Sequence, residues 1–338
     1  MPLISPNALL YAHLNQSPAT RPSNRSPTQP RPINLNIGSL THCNGSSLIK
    51  IGATTIVCGV RAELLPVSEI PSYRITKSTS YNPTSNVSLQ ESDEEDPYDS
   101  ISLYNLLVPN IELATGCSPS HPANTAPSTE AQSLSQRVLS LLRTSKLVRT
   151  SDLEVSYTPP PETDVDGVEQ GPQLKAYWVL YIDMLCISYG GSLFDTAWLA
   201  LYAALRNAVL PKAWWDADLG QVLCSSEIVD AKSLTLRGMP VPLTFGAFVP
   251  EQRAKRGKEN QSWVLVDMDA FEEECCEEQG TVTVDLSDNG AIEIVRIEKN
   301  GGTISNVRTI KEMTNVAGNR WQEWKSVLDR ALKTNGSR

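Results

Sequence analysis

Apolar residues come in short groups along this chain, and their spacing changes from one group to the next. Between Ser46 and Ile51, and again from Thr54 to Leu64, apolar and polar or small positions alternate, with Gly52-Ala53 between the two runs. A period of two broken at a glycine predicts a β-hairpin with Ile56, Cys58, Val60, Ala62 and Leu64 on one face. Over 130–145 the period becomes helical, because Leu134, Val138, Leu141 and Leu142 fall at i, i+4, i+7 and i+8. Thr129 with Gln132 offers a capping box for this helix. Tyr177 to Ile187 is apolar at odd and even positions alike, Asp183 excepted, which predicts a central strand covered on both faces. After Tyr189-Gly190-Gly191-Ser192, Asp195 stands at a predicted N-cap and TAWLALYAALRNAVL follows. That alanine-rich helix should be buried all round and should stop at Pro211.

The second half continues the alternation. Ser262 to Asp269 reads as a strand, an acidic stretch follows, and Thr281–Leu286 and Ala291–Ile297 form a hairpin around Ser287-Asp288-Asn289-Gly290. Val307, Ile310, Thr314, Ala317, Trp321, Trp324 and Leu328 keep helical spacing, with Gly318 as a candidate break. Hairpins separated by long helices define an α+β class. Residues 15–32 read as an extended arm, and the polar stretches 77–100 and 158–172 as disordered insertions, with a charged stretch at 251–260. The expected organisation is an N-terminal segment 1–20, a first lobe 21–211 and a second lobe 212–338. The length of 338 residues fits two such lobes.

Charge narrows the function classes. With 29 Lys and Arg against 38 Asp and Glu, the formal charge of −9 argues against an autonomous nucleic-acid binder, since polyphosphate binding rests on an electropositive surface. Three histidines (His13, His42, His121) leave no multi-histidine metal site. Seven scattered cysteines without a CxxC point to a reducing compartment and not to a disulfide framework. No apolar run approaches 18 residues, and the first residues lack the order of a secretory signal, so a soluble intracellular protein is expected.

The candidate chemistry is thin. Gly190-Gly191 ahead of a helix could cradle phosphate, yet no Walker lysine or nearby basic residue accompanies it, and Asp195 would repel an anion there. The cluster Asp267, Asp269, Glu272, Glu273, Glu274, Glu277 and Glu278 reads as a solvated acidic face, with one of Cys275 and Cys276 in the core. Neither His42-Cys43 nor Ser46-Ser47 forms an oriented nucleophile and base. The basic segment 305–338 could touch RNA, but Trp321 and Trp324 fit core anchors better. No catalytic, cofactor-binding or metal-ligating residue is assigned, and RNA-contacting residues stay unassigned.

Taken in order, several segments resemble the RNase PH family, and within it the non-catalytic ring subunits of the eukaryotic exosome. They are Arg21-Pro22-Ser23-Asn24-Arg25, LNIGSLTHCNGSSLIKIGATTIVCGVRAEL (35–64), the strand, glycine turn and helix of 177–205, and WVLVDMDAFEEE followed by GTVTV. VPNIELATGC, AQSLSQRVLSLLRTSKLV and PVPLTFGAF add to the likeness with the ring subunits. The resemblance implies the two-lobed RNase PH fold, with mixed sheets and packed helices. Active members use phosphate to cleave RNA from its 3′ end, with cations holding phosphate and RNA and an acid beside the scissile bond. In this sequence the family's Gly-Gly-Thr-Arg runs Gly191-Ser192-Leu193-Phe194, so its arginine falls on Phe194. The acid falls on about Thr281, and residues 78–136 hold no Lys or Arg. Each lost charge-assisted hydrogen bond costs roughly 1.5–3 kcal/mol. Two of them remove about two to more than four decades of rate.

The expectation is therefore a catalytically inactive subunit, without cofactor, of the exosome ring. Its partners by resemblance are other RNase PH-like ring subunits, S1/KH cap subunits, RNA in the shared channel and an associated exoribonuclease. Processing of ribosomal RNA and RNA turnover in the nucleus, nucleolus and cytoplasm follow from the same likeness. An active phosphorolytic exoribonuclease and an RNA-binding adaptor using 305–338 are the alternatives. Ring neighbours are expected to cover the strand face Ile56, Cys58, Val60, Ala62, Leu64 and helices carrying Trp198, Trp321 and Trp324.

Overall fold

The computed structural model describes residues 5–71, 100–119, 121–122, 128–159, 172–250, 262–287, 289–302 and 306–335. The stretches read as insertions at 77–100 and 158–172, and the charged stretch 251–260, lie almost wholly outside these residues. In chain order the helices are α1 (Pro6–Leu14), α2 (Ser100–Leu103), α3 (Thr129–Ser145), α4 (Thr150–Leu153), α5 (Leu193–Arg206), α6 (Ala270–Cys275) and α7 (Val307–Asn335). The strands begin with β1 (Ile33–Ile37), β2 (Gly45–Ile51), β3 (Thr54–Pro66), β4 (Leu107–Leu113), β5 (Glu154–Tyr157), β6 (Gln173–Ser188) and β7 (Val209–Leu210). They continue with β8 (Ala213–Asp216), β9 (Gln221–Cys224), β10 (Lys232–Ser233), β11 (Val241–Phe248), β12 (Trp263–Val266), β13 (Glu278–Leu286) and β14 (Ile292–Gly301).

Two main sheets form. The first runs β1-β2-β3-β6-β4 with β5 also on β6, antiparallel except for the parallel β4–β6 pair. The second runs β12-β11-β13-β14, all antiparallel. Helix α5 lies between them, touching β2 and β3 on one side and β11 on the other. This double cover explains a helix in which every residue from Leu193 to Leu205 is buried. Gly45 permits the close approach of β2, since a Cβ there would stand 2.3 Å from the Ala204 carbonyl oxygen. Trp198 Nε1 donates to the Pro240 carbonyl (2.6 Å), and the Tyr202 hydroxyl to that of Gly238 (3.1 Å), which ties α5 to the second sheet.

The predicted hairpins and helices are present, with corrections at their ends and faces. Ile56, Cys58 and Val60 point into the core, while Ala62 and Leu64 are half-buried. Ser128, not a Thr129 box, caps α3 by accepting from the Ala131 N–H (3.1 Å). Helix α5 stops at Arg206, short of the predicted end at Pro211, because the chain turns at Asn207 and enters β7 before it reaches the proline. Helix α7 runs unbroken through Gly318, whose missing Cβ leaves room for the Ile292 side chain. β6 is covered on one face only along its second half: Ile182, Met184 and Cys186 are buried, but Asp183, Leu185 and Ile187 are exposed. The surface expected to meet ring neighbours is also wrong in its particulars, because Trp198 and Trp324 are core residues and Trp321 is half-buried, its Nε1 donating to the Met239 carbonyl. Helix α1, unread in the sequence, starts at a Ser5 cap followed by Pro6 and buries Leu10 and Leu14 against Phe248, Leu265 and Met268.

Candidate functional site

The glycine turn between β6 and α5 is held by contacts that only glycine allows. Gly191 has φ +92°, and a Cβ on it would meet the backbone of Met268, Asp269 and Ala270 at 2.4–2.6 Å. Thr54 Oγ1 donates to the Gly191 carbonyl (2.6 Å) and accepts from the Gly190 N–H (3.1 Å). Ser192, with φ +48°, occupies the N-cap position, which corrects the placement of Asp195 there. Asp195 sits one turn inside, buried, and accepts from Ser192 Oγ (3.1 Å), the Thr244 N–H (2.8 Å) and Thr244 Oγ1 (2.7 Å). Burial pushes its carboxyl up to about 6, against the lowering pull of the Thr244 bonds.

Helix α6 faces this turn. Its capping box, Asp269 with Glu272, fixes the first turn so that Glu273 points at the start of α5. Glu273 Oε1 accepts from the Ser192 N–H (2.7 Å), and Oε2 from the Tyr189 hydroxyl (3.0 Å). The backbone donor that could greet an incoming anion thus already holds a carboxylate of the same chain. Burial raises Glu273 to about 7 although both hydrogen bonds favour its charged form. Burial and the Glu273 charge likewise push the Tyr189 phenol up.

The opposite wall carries a cation that the basic-free stretch 78–136 misses by one residue. The Arg137 guanidinium stacks on the Phe194 ring, 4.1 Å from its centroid. It also donates from Nε to Glu298 Oε2 (2.9 Å) and from Nη2 to Thr281 Oγ1 (3.2 Å). Thr281 and Thr244 share a hydroxyl contact at 3.0 Å. The residues singled out in the sequence, Gly190–Ser192, Phe194 and Thr281, therefore do converge with Thr244, Glu273 and Arg137. Two adjoining clefts of about 600 and 320 Å³ lie here, with Glu130, Glu273 and Glu274 lining the larger and Lys299 the smaller. Arg137 lines both and is paired with Glu298, a carboxylate it shares with Arg296.

Behind the turn, the acidic stretch is only in part the solvated face expected of it, with Glu274 and Glu277 exposed. Asp267, Glu272 and Glu278 are buried, and the N-terminal arm supplies counter-charges to the first two. Arg21 and Arg25 donate to Glu272 Oε2 (3.0 and 3.4 Å). Asp267 Oδ1 accepts from Arg31 Nη2 (2.6 Å) and Nε (3.0 Å), and Oδ2 from the Arg31 N–H (2.5 Å). Arg31 also donates to the carbonyls of Gly190 (2.7 Å) and Gly191 (3.1 Å), so the arm locks the glycine turn from behind. Asn24, in the turn between Arg21 and Arg25, has φ +60°, a conformation asparagine tolerates well. Ser46 and Ser47 are structural: Ser46 Oγ accepts from the Leu40 N–H, and Ser47 Oγ donates to the Ala200 carbonyl (2.7 Å). Among the described residues no His, Cys, Asp and Glu group has the arrangement to hold a metal ion.

Glu273 gives a testable pH signature. Its folded pKa of about 7 lies above the 4.5 of a free side chain, so the folded chain binds the extra proton between those values. The stability this group contributes is full below about pH 4.5 and is lost as pH rises toward 7. Glu273→Gln keeps an acceptor for the Ser192 N–H and has no proton to lose. Melting temperatures of both proteins at pH 5 and pH 8 should differ less for the variant than for the parent. Equal differences would count against this placement of the proton.

A model of the 3′ exoribonuclease family, domain 1 (RNase PH), matches residues 29–211. The chain is 29% identical over 318 residues to exosome complex component rrp43 of Schizosaccharomyces pombe, covering 94% of this chain and 93% of that one. It is 23% identical over 307 residues to exosome complex component Rrp42 of Pyrococcus horikoshii, covering 90% and 88%. Among solved structures, a chain of the Archaeoglobus fulgidus exosome with RNA bound to the active site superposes with a TM-score of 0.60 at 19% identity. That match covers 95% of this chain and 96% of the archaeal one.

Proposed function

The chain belongs to the RNase PH family and has its two-lobed α+β fold, and from that premise we propose that it is a catalytically silent ring subunit of an RNA exosome. The observation that carries the reading is the Glu273 carboxylate seated on the Ser192 N–H at the start of α5. An incoming phosphate would have to displace that carboxylate, in a cleft where Glu130 and Glu274 add like charge. By the resemblance, the family's arginine falls on Phe194 and its acid on about the neutral Thr281. Arg137 stands in the right region for an anion, but it is held by Glu298, which Arg296 shares, and by Thr281.

The ring reading is supported by relatives that are named exosome components. It is also supported by apolar side chains that an acidic single chain leaves in water: Leu185 and Ile187 on the first sheet, Ile292, Ile294 and Ile297 on the second. Neighbouring RNase PH-like subunits would cover such faces, and S1/KH cap subunits would sit on the ring. RNA would pass through the shared channel to a separate exoribonuclease, in ribosomal RNA processing and turnover in nucleus and cytoplasm.

Expressed alone, the chain should self-associate or be poorly soluble, and co-expression with its ring neighbour should rescue it. Native purification followed by mass measurement should find one copy in a hetero-oligomer with other RNase PH-like chains. A stable, well-behaved monomer that purifies without partners would overturn the ring reading.

A further inference from the structure

A second groove, of about 560 Å³, runs along β1 and is closed on its other side by the last turns of α7. β1 is the edge of the first sheet, paired only with β2 among the described residues, so beside the packed α7 its outer side has no partner strand. The groove's charge is opposite to that of the whole chain. Its twelve lining residues include two cations, Lys50 and Arg330, and no carboxylate, although acidic residues outnumber basic ones overall. Asn34 lies directly across from Lys50 in the β1–β2 register. Apolar contact is available from Leu35, Leu48, Val327 and Ala331.

From this placement we propose that β1 and α7 form a docking groove for an extended acidic segment of another protein, which adds as a strand to the β1 edge. Main-chain hydrogen bonds would provide the affinity, as in strand addition generally. Because strand side chains alternate between faces, carboxylates on the face shared by Asn34 and Lys50 would meet Lys50 with Arg330 nearby. The apolar side chains between them would lie on the face of Leu35. Single-stranded RNA fits less well, because no aromatic side chain lines the groove for base stacking and two cations neutralise few phosphates. The proposal stands on this groove alone and does not depend on ring membership.

The test uses the full chain, or the complex it purifies with, and a fluorescein-labelled heptapeptide of alternating glutamate and valine. Saturable binding is expected, with slowed amide exchange at 33–37 and 327–334. Lys50→Glu with Arg330→Glu should weaken binding at least tenfold. Both side chains are exposed, so this variant should melt within a few degrees of the parent. A failure of the peptide to saturate, equal affinity for the double variant, or protection at other segments would overturn the proposal. Protection of 33–37 by oligouridylate but not by the peptide would overturn it in favour of RNA. Concentration-dependent protection of 33–37 without any peptide would overturn it in favour of a second copy of the chain.

Discussion

Asp267→Ala should destabilise the folded chain by about 3–5 kcal/mol, the range seen when one partner of a buried ion pair is removed. Asp267 is buried and accepts three hydrogen bonds from Arg31, whose guanidinium and that of Arg320 are themselves buried. Burial pushes the Asp267 carboxyl up, but the Arg31 hydrogen bonds and charge outweigh it and hold it below its usual value. Its contribution is therefore present at neutral pH and lost only on acidification below about pH 4. Without the carboxylate, the buried Arg31 guanidinium keeps only the neutral carbonyls of Gly190 and Gly191 as acceptors, while Arg320 keeps its ion pair with Glu323. Asp267→Asn keeps the volume but not the charge, and should lose nearly as much. Denaturant unfolding of the three proteins measures this, and a loss below about 1 kcal/mol for Asp267→Ala would show that the arm is not held as described.

Gly191→Ala should cost about 2–5 kcal/mol by a different route. A side chain at φ +92° is strained by roughly 1–2 kcal/mol. The added Cβ would also press on backbone atoms of Met268, Asp269 and Ala270, none of which can rotate away. Overpacking of this kind adds about 1–3 kcal/mol. Because these atoms begin α6, the substitution should push Glu273 off Ser192 as well. Circular-dichroism melts should fall by several degrees, and the amide of Ser192 should exchange faster. Gly290→Ala is the control: a Cβ there meets no atom within 4 Å, so only the backbone strain applies.

The strands were legible because burial on one face forces alternation, as in Ile56, Cys58 and Val60. Helix α7 was legible for the corresponding helical reason, with Met313, Ala317, Trp324 and Leu328 on its inner face. What escaped the sequence was pairing over distance. Arg21 meets Glu272 across 251 positions and Arg31 meets Asp267 across 236, and no local pattern announces either contact. An acidic run therefore read as solvated until the arm folded onto it. Asp195 read as a helix cap because its local sequence suits one, whereas Thr244, from the other sheet, claims its carboxylate. At the site, the side chains standing where the resemblance puts the family's arginine and acid, Phe194 and about Thr281, could be read from the sequence. The Glu273 plug and the Arg137 stack depend on how α6 and α3 pack, and only the fold reveals them.

The claim that this site is silent is tested most directly by phosphate-dependent RNA cleavage. The complex purified through this chain would be incubated with 3′-hydroxyl single-stranded RNA and inorganic phosphate, and nucleoside diphosphates separated by chromatography. Arg137→Ala in this chain should leave any phosphate-dependent release unchanged, and Phe194→Arg should add none, because Glu273 would still fill the cradle. Release that disappears with Arg137→Ala, or that appears with Phe194→Arg, would contradict the account.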